Sequence, residues 1–72
     1  MDLSELTPVD SSLAAAVGYD EQEQEMYIEF KQSGQIWAYP ITPAEWQEAQ
    51  SGSIGKFWHA RIKGVKSGRQ VA

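Results

Sequence analysis

Few side chains in this chain could do chemistry. Its 72 residues include one histidine, His59, and no cysteine. A hydrolytic triad needs a nucleophile, a histidine base and an acid that orients the base. His59 stands among Lys56, Arg61 and Lys63, and no acid follows Glu48. A lone histidine without thiolates falls short of a metal site, and a chain without cysteine has no disulfide framework. Gly52-Ser53-Ile54-Gly55-Lys56 has glycines and a lysine, but it lacks the spacing of a phosphate loop and a strand before it. It offers only the start of a helix, whose free amides beside Lys56 suit a phosphate with low specificity. These residue types point to a binding protein and not to an enzyme, with no catalytic residue, cofactor or metal expected.

Charge is distributed unevenly. All ten carboxylates lie between Asp2 and Glu48, and five of the six lysines and arginines lie from Lys56 onward. Residues 1–48 therefore carry −9 (one base, ten acids) and residues 49–72 carry +5, which sum to the net −4. A block of cations suggests a polyanionic partner. The candidates are Lys56, His59, Arg61, Lys63, Lys66 and Arg69 for phosphates, with Trp58 or Tyr27 to stack on bases. The competing reading is internal: the basic segment neutralises the acidic body. The acidic total also counts against a free-standing RNA binder.

The elements that must position these groups are short. Leu13 to Tyr19 alternates, placing Leu13, Ala15, Val17 and Tyr19 on one face of a strand. Asp20 to Gln24 is a polar connection. Met26, Ile28 and Phe30 form one face of a second strand, with Tyr27, Glu29 and Lys31 on the other. Ser33-Gly34 suits a hairpin turn, where glycine supplies a positive φ. Ile36 to Ile41 is the third strand, with Trp37, Tyr39 and Ile41 on one face and Pro40 at its end or edge. Thr42-Pro43-Ala44-Glu45 reads as a capping box with proline at the first helical position. That helix runs through Trp46 and Ala49 and stops near Ser51-Gly52, where glycine favours a left-handed cap. Ser53 caps a second helix of about Ile54 to Lys63, ended by Gly64. Val65 to Ala72 is expected to fray.

Trp37 and Tyr39 are read as mainly structural, because a small domain cannot spare two large apolar side chains from its core. Tyr27 is then the one exposed aromatic of the outer sheet face. On a wheel of about 100° per residue, Ile54, Phe57, Trp58 and Ile62 form one stripe opposite Lys56, His59 and Lys63. Arg61 falls inside the apolar stripe. There it must snorkel, pair with a carboxylate from the sheet, or line a cleft.

The order of these features resembles the KTSC domain, a module named for its occurrence at the C-terminus of some lysyl-tRNA synthetases and found also as a stand-alone bacterial protein. The resemblance runs from about Ser11 to Gly64. It rests on Ser11-Ser12, Tyr19-Asp20, Met26-Tyr27-Ile28-Glu29-Phe30 leading to Gly34, Trp37-Ala38-Tyr39 with Pro43 following, and the block of Ser53, Gly55, Phe57 and Ile62. Two positions depart from the family pattern: Trp37 replaces the first tyrosine of its Tyr-x-Tyr centre, and His59 stands where asparagine is common. The resemblance implies a non-catalytic module, for which attachment to a tRNA-charging enzyme suggests RNA binding.

The expectation is therefore one α+β domain over residues 1–72, ordered from about 11 to 64. It consists of a three-stranded antiparallel meander followed by two short C-terminal helices packed on one face. The function expected is RNA binding through the basic C-terminal helix. The alternative is a protein-interaction module that uses an open sheet edge, for a partner or a second copy, or its acidic face. No stretch is long enough to span a membrane, and the acidic N-terminus lacks the marks of an export signal, so the expected location is cytoplasmic.

Overall fold

The structure is a computed structural model that describes residues 2–72. Its sheet has five antiparallel strands in sequential order: β1 (Thr7–Pro8), β2 (Ala14–Asp20), β3 (Glu25–Phe30), β4 (Ile36–Pro40) and β5 (Arg69–Gln70). A 3-10 turn, Leu3–Glu5, precedes the sheet. Helix α1 (Pro43–Gln50) and helix α2 (Ile54–Phe57) follow β4, and α2 runs on into a π-helical turn, Trp58–Ile62.

The α+β class and the central meander agree with expectation. The strand count does not, because the sheet has five strands where the alternation predicts three. The two additional strands are two residues each, too short to carry a periodic signal. β5 also overturns the expected frayed tail. Val71 and Ala72 donate their amides to the Ile36 carbonyl at 2.8 and 3.2 Å, and Ile36 donates back to the Ala72 carbonyl at 3.0 Å.

The first strand starts one residue later than predicted, and its alternation is broken. Ala14 pairs with Phe30 but Ala16 pairs with Glu29, so a bulge falls between them. An extra residue in one strand reverses which side chains face inward. The buried face is consequently Ala14, Val17 and Tyr19, in place of one that includes Leu13 and Ala15. Opposite them stand Met26, Ile28 and Phe30, then Trp37 and Tyr39. Ala49, Phe57 and Ile62 from the helical half close this core, with Trp46, Ile54 and Trp58 packed at its margin. Both helices therefore cover one face of the sheet.

On the outer face Tyr27 is only 5% exposed, contrary to the expectation that it stands free. Its cross-strand neighbours, Gly18 and Ala38, are both small. Arg69 arrives from β5 opposite Ala38, and its guanidinium lies 3.5 Å from the Tyr27 hydroxyl. The ring is sunk among these groups.

The local signals that set the chain direction act as their chemistry dictates. Thr42 and Glu45 form the capping box, with the Thr42 amide donating to Glu45 Oε1 at 3.0 Å and the Glu45 amide to Thr42 Oγ1 at 3.3 Å. Gly34 turns the β3–β4 connection at φ +72°, and Gly64 ends the π turn at φ +74°. Gly52 does not take the left-handed cap expected of it, since α1 is closed by Ser51 in a right-handed conformation.

The C-terminal tail is held by contacts from both layers. Lys66 Nζ reaches Glu45 Oε1 at 3.1 Å, and Arg69 forks onto Glu25 at 2.8 and 3.2 Å. Gly68 lies directly against the Tyr39 ring, so that a methyl group at position 68 would overlap its carbon atoms.

Gly68→Ala should therefore lift β5 from β4 and destabilise the domain by about 1–3 kcal/mol, the usual range for overpacking. Amide exchange checks this: Ile36 and Val71 should lose protection while Ile28 keeps it. A second expectation concerns acid. The Thr42 amide, and then Lys66, hold the Glu45 carboxyl below its ordinary pKa. A carboxyl depressed in the folded state stabilises the fold above its unfolded pKa of about 4.3 and loses that contribution as pH falls through the folded value. Thermal melts of Glu45→Gln should therefore fall below wild type at pH 7, and the gap should narrow as pH drops below about 4.

Candidate nucleic-acid interface

The seven residues expected to meet a nucleic acid do not form one surface. Three of the cations are already paired with acids of the N-terminal part. Arg61 makes a two-pronged contact with Glu48 of α1 at 2.8 and 3.0 Å, Lys66 is on Glu45, and Arg69 is on Glu25. The internal reading of the charge asymmetry thus accounts for half of the six lysines and arginines. Arg61 does reach a carboxylate, but from the helix and not from the sheet. It lies outside the apolar stripe because the π turn shifts the phase of the residues after Trp58: the Lys63 amide bonds the Trp58 carbonyl, five residues back, at 2.8 Å.

Trp58 cannot serve as a base-stacking platform in this arrangement. Its ring meets Phe30 and Tyr39 edge-to-face at centroid distances of 5.2 and 5.1 Å. Tyr27 is buried, as described, and Tyr39 is 7% exposed. Trp37 is half-buried, stacks on Tyr39 at 6.4 Å, and donates its indole N–H to Gln35 at 3.1 Å. Tyr39 thus belongs to the core, and Trp37 packs against it.

Lys56, His59 and Lys63 remain. All three are exposed, and among the described residues none makes an ion pair or a side-chain hydrogen bond. Lys56 and His59 flank a shallow depression of about 650 Å³ lined also by Ser12, Leu13, Ser53 and Gly55. Lys31, also exposed, donates its amide to the Leu13 carbonyl at 3.1 Å, so this fourth unpaired cation starts from the strand beside the depression. Sequence reasoning missed Ser12 and Leu13, because only the tertiary fold brings them to α2. The phosphate seat expected at the start of α2 is partly filled by the protein itself: Ser53 Oγ accepts the Lys56 amide at 3.3 Å.

A larger concavity, about 720 Å³, lies on the other side of α2. Val17 and Ala49 are buried at its floor, Tyr19 and Trp46 form an aromatic wall, and Glu5, Asp10 and Glu21 are among its lining residues. Tyr19 and Trp46 stack nearly parallel, 10° apart with centroids at 5.3 Å, and the Tyr19 hydroxyl donates to the Ile41 carbonyl at 2.8 Å. Burial, followed by the charges of Glu21, Glu45 and Asp20, pushes the Tyr19 phenol up. The lining of this groove comes from three separate segments, residues 5–10, 17–21 and 46–54, so no local motif announces it.

Among the described residues no group of three or more histidines, cysteines or carboxylates is placed to hold a metal ion, and no helix is long and apolar enough to cross a membrane. No curated protein matches the chain. A solved structure does: the crystal structure of KTSC domain protein YPO2434 from Yersinia pestis superposes with a TM-score of 0.85 at 28% sequence identity, covering 94% of this chain and 97% of that one. The KTSC domain model matches residues 10–65, the span that contains the meander, both helices and the π turn. The chain belongs to the KTSC domain family.

Proposed function

We propose that the chain is a small non-catalytic binding module that contacts RNA through Lys56, His59 and Lys63. The observation that carries this reading is selective pairing. Where three other cations of the C-terminal segment are neutralised within the fold, these three stay exposed and unpaired, and Lys56 and His59 share the depression beside α2. Occurrence of the family on a tRNA-charging enzyme agrees with this direction. With the aromatics committed to the core, recognition rests on phosphates, and so the binding is weak, salt-sensitive and tolerant of sequence.

The alternative, a protein partner or second copy added at an open sheet edge, has less geometric support. β1 and β5 already occupy the edges of the three-stranded meander, and the new edges are two residues long, one of them bearing Pro8. Short edge strands and proline discourage further pairing. The acidic side of the protein-partner reading survives, and it concerns a different surface.

Salt dependence distinguishes three contacts from six. Each single-strand phosphate neutralised contributes about −0.7 to the slope of log K against log salt, so two or three contacts give roughly −1.4 to −2, and the six candidates together about −4. An anisotropy titration with single-stranded RNA and tRNA at low salt should yield the shallower slope. Lys56→Ala and Lys63→Ala should each flatten it by roughly 0.7, with Arg61→Ala leaving it unchanged. Absence of salt-dependent binding at tens of micromolar would sink the proposal.

A further inference from the structure

We infer that the groove between the N-terminal segment and α1 is a docking site for a polypeptide segment that carries lysine or arginine among aliphatic residues. The inference does not depend on RNA binding, since the groove and the Lys56–His59 depression lie on different sides of α2.

Shape supplies the first argument. The groove is about 720 Å³, within the common range of ligand sites, roughly 300–1,000 Å³. Its apolar part is formed by Val17, Ala49 and the half-buried Val9, Ile54, Tyr19 and Trp46, and polar groups of Thr7, Gln50, Ser53 and three carboxylates complete the lining. The aromatic wall is preorganised, because Tyr19 is held on one side by the Trp46 stack and at its hydroxyl by the Ile41 carbonyl. A fixed wall spares an incoming side chain the cost of ordering it.

Charge supplies the second argument and selects the occupant. The fold spends Glu25, Glu45 and Glu48 on internal ion pairs. Glu5, Asp10 and Glu21, by contrast, form no ion pair among the described residues, and all three line this groove. No lysine, arginine or histidine lines it. An apolar trough with three free carboxylates and no cation disfavours an acidic or purely aliphatic occupant. It suits a side chain with an apolar stem and a cationic tip, the stem lying along Trp46 and Tyr19 and the charge at the carboxylates.

The test uses the isotopically labelled chain and a capped hexapeptide of alternating leucine and lysine, followed by amide and indole chemical shifts. The inference expects saturable shifts confined to Val17, Gly18, Tyr19, the Trp46 indole and Ile54. The double variant Glu5→Gln, Glu21→Gln should weaken the affinity by about tenfold. Gln50→Arg, which places a cation at the exposed end of the α1 wall, should weaken it at least as much. Lys56→Ala should leave peptide binding unchanged, so that loss of RNA binding and loss of peptide binding are separable. Equal binding of the peptide with glutamate in place of lysine would overturn the inference. So would shifts located elsewhere, or shifts that follow protein concentration in light scattering and thereby mark self-association.

Discussion

The fold depends on the ring of Tyr39. It lies in β4, the last strand of the meander, and touches its own strand, the helical half and the C-terminal tail. Trp37 stacks beside it in the same strand, Trp58 of the π turn meets it edge-on, and Gly68 of the tail lies against its face. A domain of this length buries only about 60% of the surface its unfolded chain exposes. With no cysteine to staple it, stability must come from large side chains that each serve several neighbours. Aromatic pairs of this geometry contribute about 0.5–1.5 kcal/mol each beyond the area they bury. The chain Trp37–Tyr39–Trp58–Phe30 links three of them in a row. That arrangement leaves Trp58 half-buried and packed against the core, where it does not stand free as the stacking platform that its position on a basic helix suggests.

The ion pairs have a role of a different kind. Arg61–Glu48 and Arg69–Glu25 involve largely exposed arginines, and exposed pairs contribute only about 0–1 kcal/mol. They matter more for what they leave unpaired. Each removes one cation and one carboxylate from the surface available to a partner. After the three pairs form, Lys56, His59 and Lys63 of the C-terminal segment stay exposed and unpaired, and Glu5, Asp10 and Glu21 are the free carboxylates around the groove. A chain with a crude acidic half and basic half becomes a molecule with two small, oppositely charged surfaces.

Legibility in the sequence follows from the range of the interaction that decides each feature. The capping box at Thr42 and Glu45, the positive φ at Gly34, the helix end at Gly64 and the Met26–Ile28–Phe30 face are set by residues within a few positions of one another, and all of these were readable. β1 and β5 were not, because two residues have no period and their place is set by pairing with distant strands. The bulge at Ala15 was hidden for a related reason: three consecutive alanines fit either register, and only the pairing with Phe30 and Glu29 chooses one. Which cations would be neutralised was not legible, since Glu48, Glu45 and Glu25 lie thirteen, twenty-one and forty-four residues from their partners.

The π turn ties the core to the candidate surface. In a regular α-helix through residues 54–63, Arg61 would fall between Phe57 and Ile54 and Ile62 would drift to the edge of the stripe, at about 100° per residue. The wider turn closed by the Lys63 amide on Trp58 delays that phase. Ile62 returns to the middle of the core, where it is fully buried, and Arg61 moves out to Glu48. One backbone choice thereby avoids burying an unpaired guanidinium, a penalty of several kcal/mol, while His59 and Lys63 stay exposed, as a regular helix would also leave them. π turns are commonly found at functional sites, but this one has a sufficient reason in packing alone. The exposed cations are positioned by the needs of the core, and the surface they form has the rigidity of the core behind it.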